Sequence, residues 1–209
     1  GNRKRLKMQV FEKSEELLNS RENFVSGTIP KMQNSKIIFY GTNNVLFCEE
    51  GVTLKNSIIE FGASNSIVFL RKNNFAYQVA FKVFNNSTIF IDSNNYFNGV
   101  LHAEISEETN LFIGKGGMFS HSIWMMTSDS HLVYDIDSLN RLNFSKSIYI
   151  GDHVWIGQNT IILKGTKIYS GSIIGAASVL PGILVENNSI YAGNPAKKVR
   201  NSIFWNGTN

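Results

Sequence analysis

Aliphatic residues recur at every sixth position in the last third of the chain, at Ile150, Ile156, Ile162, Ile168, Ile174 and Leu180. Glycine follows at Gly151, Gly157 and Gly175, and a small or β-branched residue sits four places on, at Val154, Thr160, Thr166, Ser172 and Ser178. Hexads in one register over this length define a structural repeat. The period predicts a solenoid in which each hexad supplies one short flat strand and one corner. The aliphatic residue points into a narrow core, and the small residue packs where a bulky side chain would clash. Stacked coils then pair as parallel strands about 4.8 Å apart, each touching mainly its neighbours. Three hexads closing a triangular coil is the solution for this period. Weaker copies upstream, at Phe47–Val52, Thr53–Ile58, Ile59–Ser64, Ile91–Tyr96 and Ile113–Met118, extend the repeat over most of the chain.

Three stretches depart from the pattern. Residues 6–24 set Leu6, Val10, Phe11, Leu17 and Leu18 among Glu and Lys, which predicts a short amphipathic helix in an N-terminal arm of residues 1–34. Between Met125 and Ser147 the hexads lapse into MTSDSHLVYDIDSLNRLNFSKS, rich in hydroxyls and carboxylates. A solenoid accepts insertions only at its corners, and such loops commonly carry function. The tail of residues 197–209, with Phe204 and Trp205, is expected to cover one open end of a solenoid spanning 35–196, as the arm does at the other. The aromatic section with Phe75, Tyr77, Phe81 and Phe84 is expected to fill a wider part of the core.

Composition narrows the function classes. With 43% hydrophobic and 17% charged residues, the 209-residue chain can bury a core and is neither coiled coil nor disordered. No apolar run approaches the ~20 residues that cross a bilayer, and the first seven residues are basic, so a soluble, cytoplasmic protein is expected. The lone Cys48 excludes an internal disulfide and a cysteine-based zinc site. A net charge of +4 is spread out apart from the N-terminal cluster and Lys197, Lys198 and Arg200, so no nucleic-acid partner is expected. Heavy use of Asn is taken as genome bias.

The stretches Ile150–Gly157 (IGDHVWIG), Ile162–Ile168, Ile174–Val179 (IGAASV) and Ala192–Arg200 (AGNPAKKVR) resemble the hexapeptide-repeat acyltransferases, within them most closely the O-acetyltransferases of sugars, antibiotics and surface polysaccharides. The resemblance is specific over residues 113–200. It implies an all-β left-handed parallel β-helix, although parallel crossovers in general favour the right hand. It also implies a homotrimer and transfer of an acetyl group from acetyl-CoA. In the resembling enzymes a protruding loop supplies a histidine, and Ser128-Asp129-Ser130-His131 matches that motif, so the resemblance makes His131 the general base. A sugar hydroxyl is too weak an acid to attack a thioester unaided, and an imidazole titrates in the right range. Asp129 orients the ring, grips a sugar hydroxyl or forms an Asx-type turn, with Asp135 and Asp137 as weaker candidates of the same kind.

For the acetyl-CoA groove the resemblance points to Trp155, Gly157, Gly175, Ala176 and Ala177. The small residues equally suit plain corner packing. Lys197, Lys198 and Arg200 suit the CoA phosphates, with Lys164 as an additional contact. His153 either lines the acceptor pocket or lies plainly at the surface, and His102 and His121 are structural. Solenoids of the carbonic anhydrase kind hold zinc with three histidines, but the spacing of these four lacks the required pair, so no metal is expected. The reading is O-acetylation of a saccharide in capsule, lipopolysaccharide or sugar-precursor synthesis. N-acetylation of an amino sugar, acetylation of an antibiotic hydroxyl, and a catalytically silent scaffold are the competing readings.

Overall fold

The computed structural model describes residues 8–72 and 75–207. The basic cluster at residues 3–7, part of the arm, and the last two residues of the tail lie outside the described residues. Strands stack into three faces over about seven turns of an all-β solenoid. The first face runs Gln9–Phe11, Lys36–Phe39, Ile58–Phe61, Val79–Val83, Leu101–Ile105, Ile123–Met126, Ile161–Leu163 and Val179–Leu180. The second runs Phe24–Gly27, Val45–Cys48, Ile67–Leu70, Thr88–Ile91, Asn110–Ile113, Ile148–Ile150, Lys167–Ile168 and Leu184–Val185. The third holds Tyr96–Phe97, Met118–Phe119, Trp155–Ile156, Ile173–Ile174, Ile190–Gly193 and Ala196–Arg200, with Lys31–Gln33 and Thr53–Lys55 paired above them.

The predicted hexads hold in the C-terminal coils. Ile162 pairs with Leu180 and Trp155 with Ile173, a step of 18 residues, and Ile150, Ile156, Ile162, Ile168, Ile174 and Leu180 are all fully buried. Below each corner a buried hydroxyl satisfies a turn carbonyl: Thr160 donates to Gly157 O at 2.8 Å and Ser178 to Gly175 O at 2.7 Å. A buried carbonyl left bare would cost about 1–3 kcal/mol, which is why hydroxyls recur at this position.

The upstream hexads are corrected by the structure. Ile37 pairs with Ile59, Ile59 with Phe81 and Phe81 with Ala103, a step of 22 residues. The strands are longer and enclose a wider prism, so its core takes rings. Phe39 stacks on Phe61 at 4.8 Å, and Tyr77, Phe97 and Phe119 form a second column with centroids 5.4 and 5.2 Å apart. Tyr77 and Phe81 fill this wider core as expected, whereas Phe84 is half-buried and Phe75 is exposed. Phe47 points outward and its neighbour Cys48 inward, one residue out of the expected phase. Burial pushes the Cys48 thiol up to about 12.

Part of the Asn content has a structural use. Asn34, Asn43, Asn56, Asn65, Asn86 and Asn94 occupy left-handed corner positions with φ between 47° and 62°. Asn tolerates that region better than most residues. Asn34–Asn56 and Asn43–Asn65 then bond side chain to side chain at 2.8 Å up the corners.

The N-terminal arm is not an α-helix. Its described part is a strand, Gln9–Phe11, laid antiparallel on Lys36–Phe39, and a single 3₁₀ segment, Ser14–Asn19. Only Phe11 and Leu17 are buried, too few to hold a helical stripe, and edge pairing satisfies the backbone instead. The solenoid begins at Phe24, earlier than residue 35, and the helix expected over 6–24 is replaced accordingly.

Candidate active site

The insertion leaves the corner between the first and second faces after Met126 and returns at Ile148. Met125 pairs with Ile162 across it, so the coil stack continues in register beneath the loop. Lys146 N donates to Thr127 O at 3.0 Å and closes its base. Within it, Tyr134 and Arg141 make an antiparallel bridge, and the Asp135 carboxylate accepts from Ser138 N at 2.7 Å and from its hydroxyl at 2.8 Å. Asp135 is thus the turn former of the hairpin tip.

Two side chains of the solenoid clamp the hairpin. Glu107 accepts from Arg141 at 2.6 Å and from Ser145 at 2.7 Å, contacts that hold its carboxyl below the ordinary range. Lys164, on the corner of the next coil, reaches Asp129 at 2.5 Å. Asn143 donates to the Asp129 carboxylate at 2.9 Å and to His131 O at 2.7 Å. Lys164, then Asn143, hold the Asp129 carboxyl below its usual value.

His131 therefore sits on a backbone fixed from both sides. Its N–H donates to Asp129 O at 2.7 Å across Ser130, a non-glycine residue at φ 62°. Non-glycine residues in that region cost energy and cluster at functional positions. The imidazole is exposed, and among the described residues no side chain bonds it. Asp129 holds the loop rather than the ring: its carboxylate is turned to Lys164 and Asn143.

The remaining candidates fall elsewhere. Trp155 projects from the third face, 40% exposed. Gly157, Gly175, Ala176 and Ala177 line the corner between the third and first faces. There the coils approach so closely that a Cβ on Gly157 would lie 2.6 Å from Ala176 N, while Ala176 and Ala177 remain open to solvent. Lys197, Lys198 and Arg200 sit on the strand Ala196–Arg200, which folds back antiparallel on Ile190–Gly193. Lys198 is paired with Glu186 at 2.5 Å, as Lys164 is with Asp129, whereas Lys197 and Arg200 have no ion-pair partner among the described residues. A single protomer thus brings His131, Asp129 and Lys164 together at one corner and holds Trp155 and the small residues on the far side of the prism.

The strand Ala196–Arg200 covers the terminal edge of the third face, but the residues after it do not close the open end. They turn back along the corner between the second and third faces, where Trp205 lies parallel to His153 at 3.9 Å. The indole donates to His153 O at 3.1 Å, and the imidazole Nε2 lies 3.0 Å from Trp205 O. Trp205 is 7% exposed and its centroid is 6.0 Å from that of Trp155. Sequence reading missed this anchor because the two residues lie 52 positions apart. His121 packs at a corner over Gly99, and His102 stacks on Trp124. Among the described residues no three His, Cys, Asp or Glu side chains converge as a metal site requires.

Stacked triangular coils with small-residue corners and one clamped loop are the architecture of the hexapeptide-repeat acetyltransferases of the left-handed β-helix class, and the chain is similar to these enzymes in fold and in sequence. It is 28% identical to the polysialic acid O-acetyltransferase of Neisseria meningitidis over 92% of this chain and 88% of that protein. Its fold matches the crystal structure of the polySia-specific acetyltransferase NeuO with a TM-score of 0.80 and 29% identity, over 90% of this chain and 86% of that one. A polysialic acid O-acetyltransferase of Escherichia coli O1:K1 is 31% identical over 48% of this chain, a stretch that spans a third of that protein's length. The sequence matches no protein-family model. Among the described residues no helix is long and apolar enough to cross a membrane.

Proposed function

We propose that the chain transfers an acetyl group from acetyl-CoA to a hydroxyl of a saccharide, with His131 as general base. The observation that carries the reading is the free, exposed imidazole on a loop locked by Lys164, Asn143 and Glu107. Such a ring takes the hydroxyl proton as the oxygen attacks the thioester carbon, then returns it to the departing thiolate. Asp129 and Lys164 act as positioning residues that set the ring's height above the corner. The buried Cys48 thiol is out of reach of any acyl donor, which favours direct transfer over a covalent acyl-enzyme. The polysialic acid enzymes among the relatives support a glycan acceptor, and acetyl-CoA places the reaction in the cytoplasm.

The active site is completed between copies in a homotrimer. His131 on one corner and the Trp155, Gly157, Gly175, Ala176 and Ala177 groove on another cannot meet in one prism, so the groove of a neighbour serves each His131. An apolar column on the outer surface of the second face supports this packing: Phe47, Phe69, Phe90, Phe112 and Tyr149 lie 4.2 to 5.4 Å from ring to ring. The column borders the corner from which the His131 loop leaves. Lys197 and Arg200, without an ion-pair partner among the described residues, meet the CoA phosphates; Lys198 and Lys164 contribute by exchanging their carboxylates.

The test is incubation with acetyl-CoA and a panel of saccharides, reading free thiol and product mass. His131→Ala is expected to lower turnover by roughly 10²–10⁴-fold while CoA affinity stays within a few fold. Wild-type turnover in that variant removes His131 from the mechanism. A monomeric mass by light scattering defeats the shared site.

A further inference from the structure

On the outer surface of the first face, side chains form two rows in register. One row runs Ile58, Ala80, His102, Trp124 and Ile161; the other runs Glu60, Lys82, Glu104 and Met126. His102 and Trp124 lie nearly parallel, 4.2 Å apart at 8°. Their stack continues toward Ile161 on one side and breaks at Ala80 on the other. There the ladder lacks a rung, and a cavity of about 190 Å³ opens between Ile58 and the free face of the imidazole. Burial lowers the His102 pKa, which favours the uncharged ring.

Size and charge select the occupant. The cavity is smaller than the ~300 Å³ of the smallest drug-sized sites, room for one ring. Its floor and walls are apolar, while Glu60, Lys82 and Glu104 line the parallel row, and among the described residues none of the three is held in an ion pair. Two carboxylates and one ammonium offer acceptors and a donor to hydroxyls, and their net negative charge repels an anion. The notch is also continuous with the proposed active site. Trp124 is two residues from the strand end at which the loop leaves, and Thr127 N donates to Glu104 O at 3.2 Å.

We propose that this notch, floored by Ala80 and walled by Ile58, His102 and Trp124, is a subsite for one uncharged sugar ring of the acceptor glycan. This deepens the saccharide reading given above and rests on it. The apolar C–H face of the ring fills the missing rung against the imidazole, and its hydroxyls reach Glu60, Lys82 and Glu104. The subsite holds the glycan along the first face while another of its rings meets His131.

Ala80→Phe supplies the missing ring from the protein and leaves the core-facing positions unchanged, with thermal unfolding as the check on folding. Saturation-transfer NMR with methyl galactoside, methyl glucoside and N-acetylglucosamine is expected to show transfer to ring C–H protons in the wild type and none in Ala80→Phe. With an oligosaccharide acceptor, the variant is expected to raise the acceptor KM by roughly ten-fold, the loss of one stacked contact, with the acetyl-CoA KM unchanged. Absence of transfer from these sugars, equal transfer in the variant, or stronger transfer to free sialic acid or uridine overturns the subsite. An unchanged acceptor KM in the variant overturns it too, leaving the transferase reading intact. Sugar binding that Ala80→Phe abolishes, in an enzyme that acetylates no saccharide, overturns the transferase reading instead.

Discussion

The two halves of the prism solve the same stacking problem with different periods. The N-terminal coils advance by 21 or 22 residues and pack Phe39, Phe61, Phe81, Phe97 and Phe119; the C-terminal coils advance by 18, and by 17 in the last turn, and pack Ile, Leu and Val. A wide coil has more area to fill, and rings on the first and third faces join the aliphatic residues that line it. A narrow coil has none to spare, so its corners demand small residues and buried hydroxyls. The loop with His131 stands at the junction of the two periods. There a corner already has to change length, and an insertion disturbs neither stack.

Core truncation probes the contrast most strongly. Phe61→Ala is expected to cost ~3–5 kcal/mol by chemical denaturation, against ~0.5–1.5 kcal/mol for Ile168→Val; a Phe61→Ala loss as small as the Ile168→Val one would mean that the wide core collapses freely. Corner substitutions sharpen the difference next. Gly157→Ala, whose new Cβ would sit 2.6 Å from backbone, is expected to cost ~1–3 kcal/mol by forcing two narrow coils apart. Gly116→Ala in the last wide coil meets no atom within 4 Å and bears only the strain of φ +68°, ~1–2 kcal/mol. A larger loss at Gly116 than at Gly157 would reverse the assignment of tightness.

The smallest effect tests the junction itself. The Asp129 pKa is lowered by Lys164 and Asn143, so its folded value lies below the unfolded one. Its contribution is present above the unfolded value near 3.8 and is lost as pH falls through the folded value. The pair is half exposed to water, so Asp129→Asn is expected to cost less than about 1 kcal/mol at pH 7 and nothing at strongly acid pH. A deficit that persists in acid assigns the effect to shape rather than charge.

Much of the narrow half was legible, because a strict hexad with glycine and hydroxyl columns has one physical solution. His131 and Asp129 were legible as a motif, but Asp129's partner was not: Lys164 is 35 residues away and becomes a neighbour only once the loop is excised from the register. The wide half was misphased because a step of 22 does not divide by six, so Phe47 read as core while Cys48 is. The arm's Leu17 and Phe11 fit a helical stripe and an edge strand equally well. His153 with Trp205, and the Ala80 gap, exist only between coils, where no linear pattern reports them.

The inward turn of Cys48 has a practical corollary. With its sulfur sealed under the second face and protonated at any working pH, the native enzyme offers disulfide reagents nothing to react with. In the thiol assay of the proposed transfer, the colour such a reagent develops then comes from the coenzyme and not from this chain, so the native protein adds no background of its own.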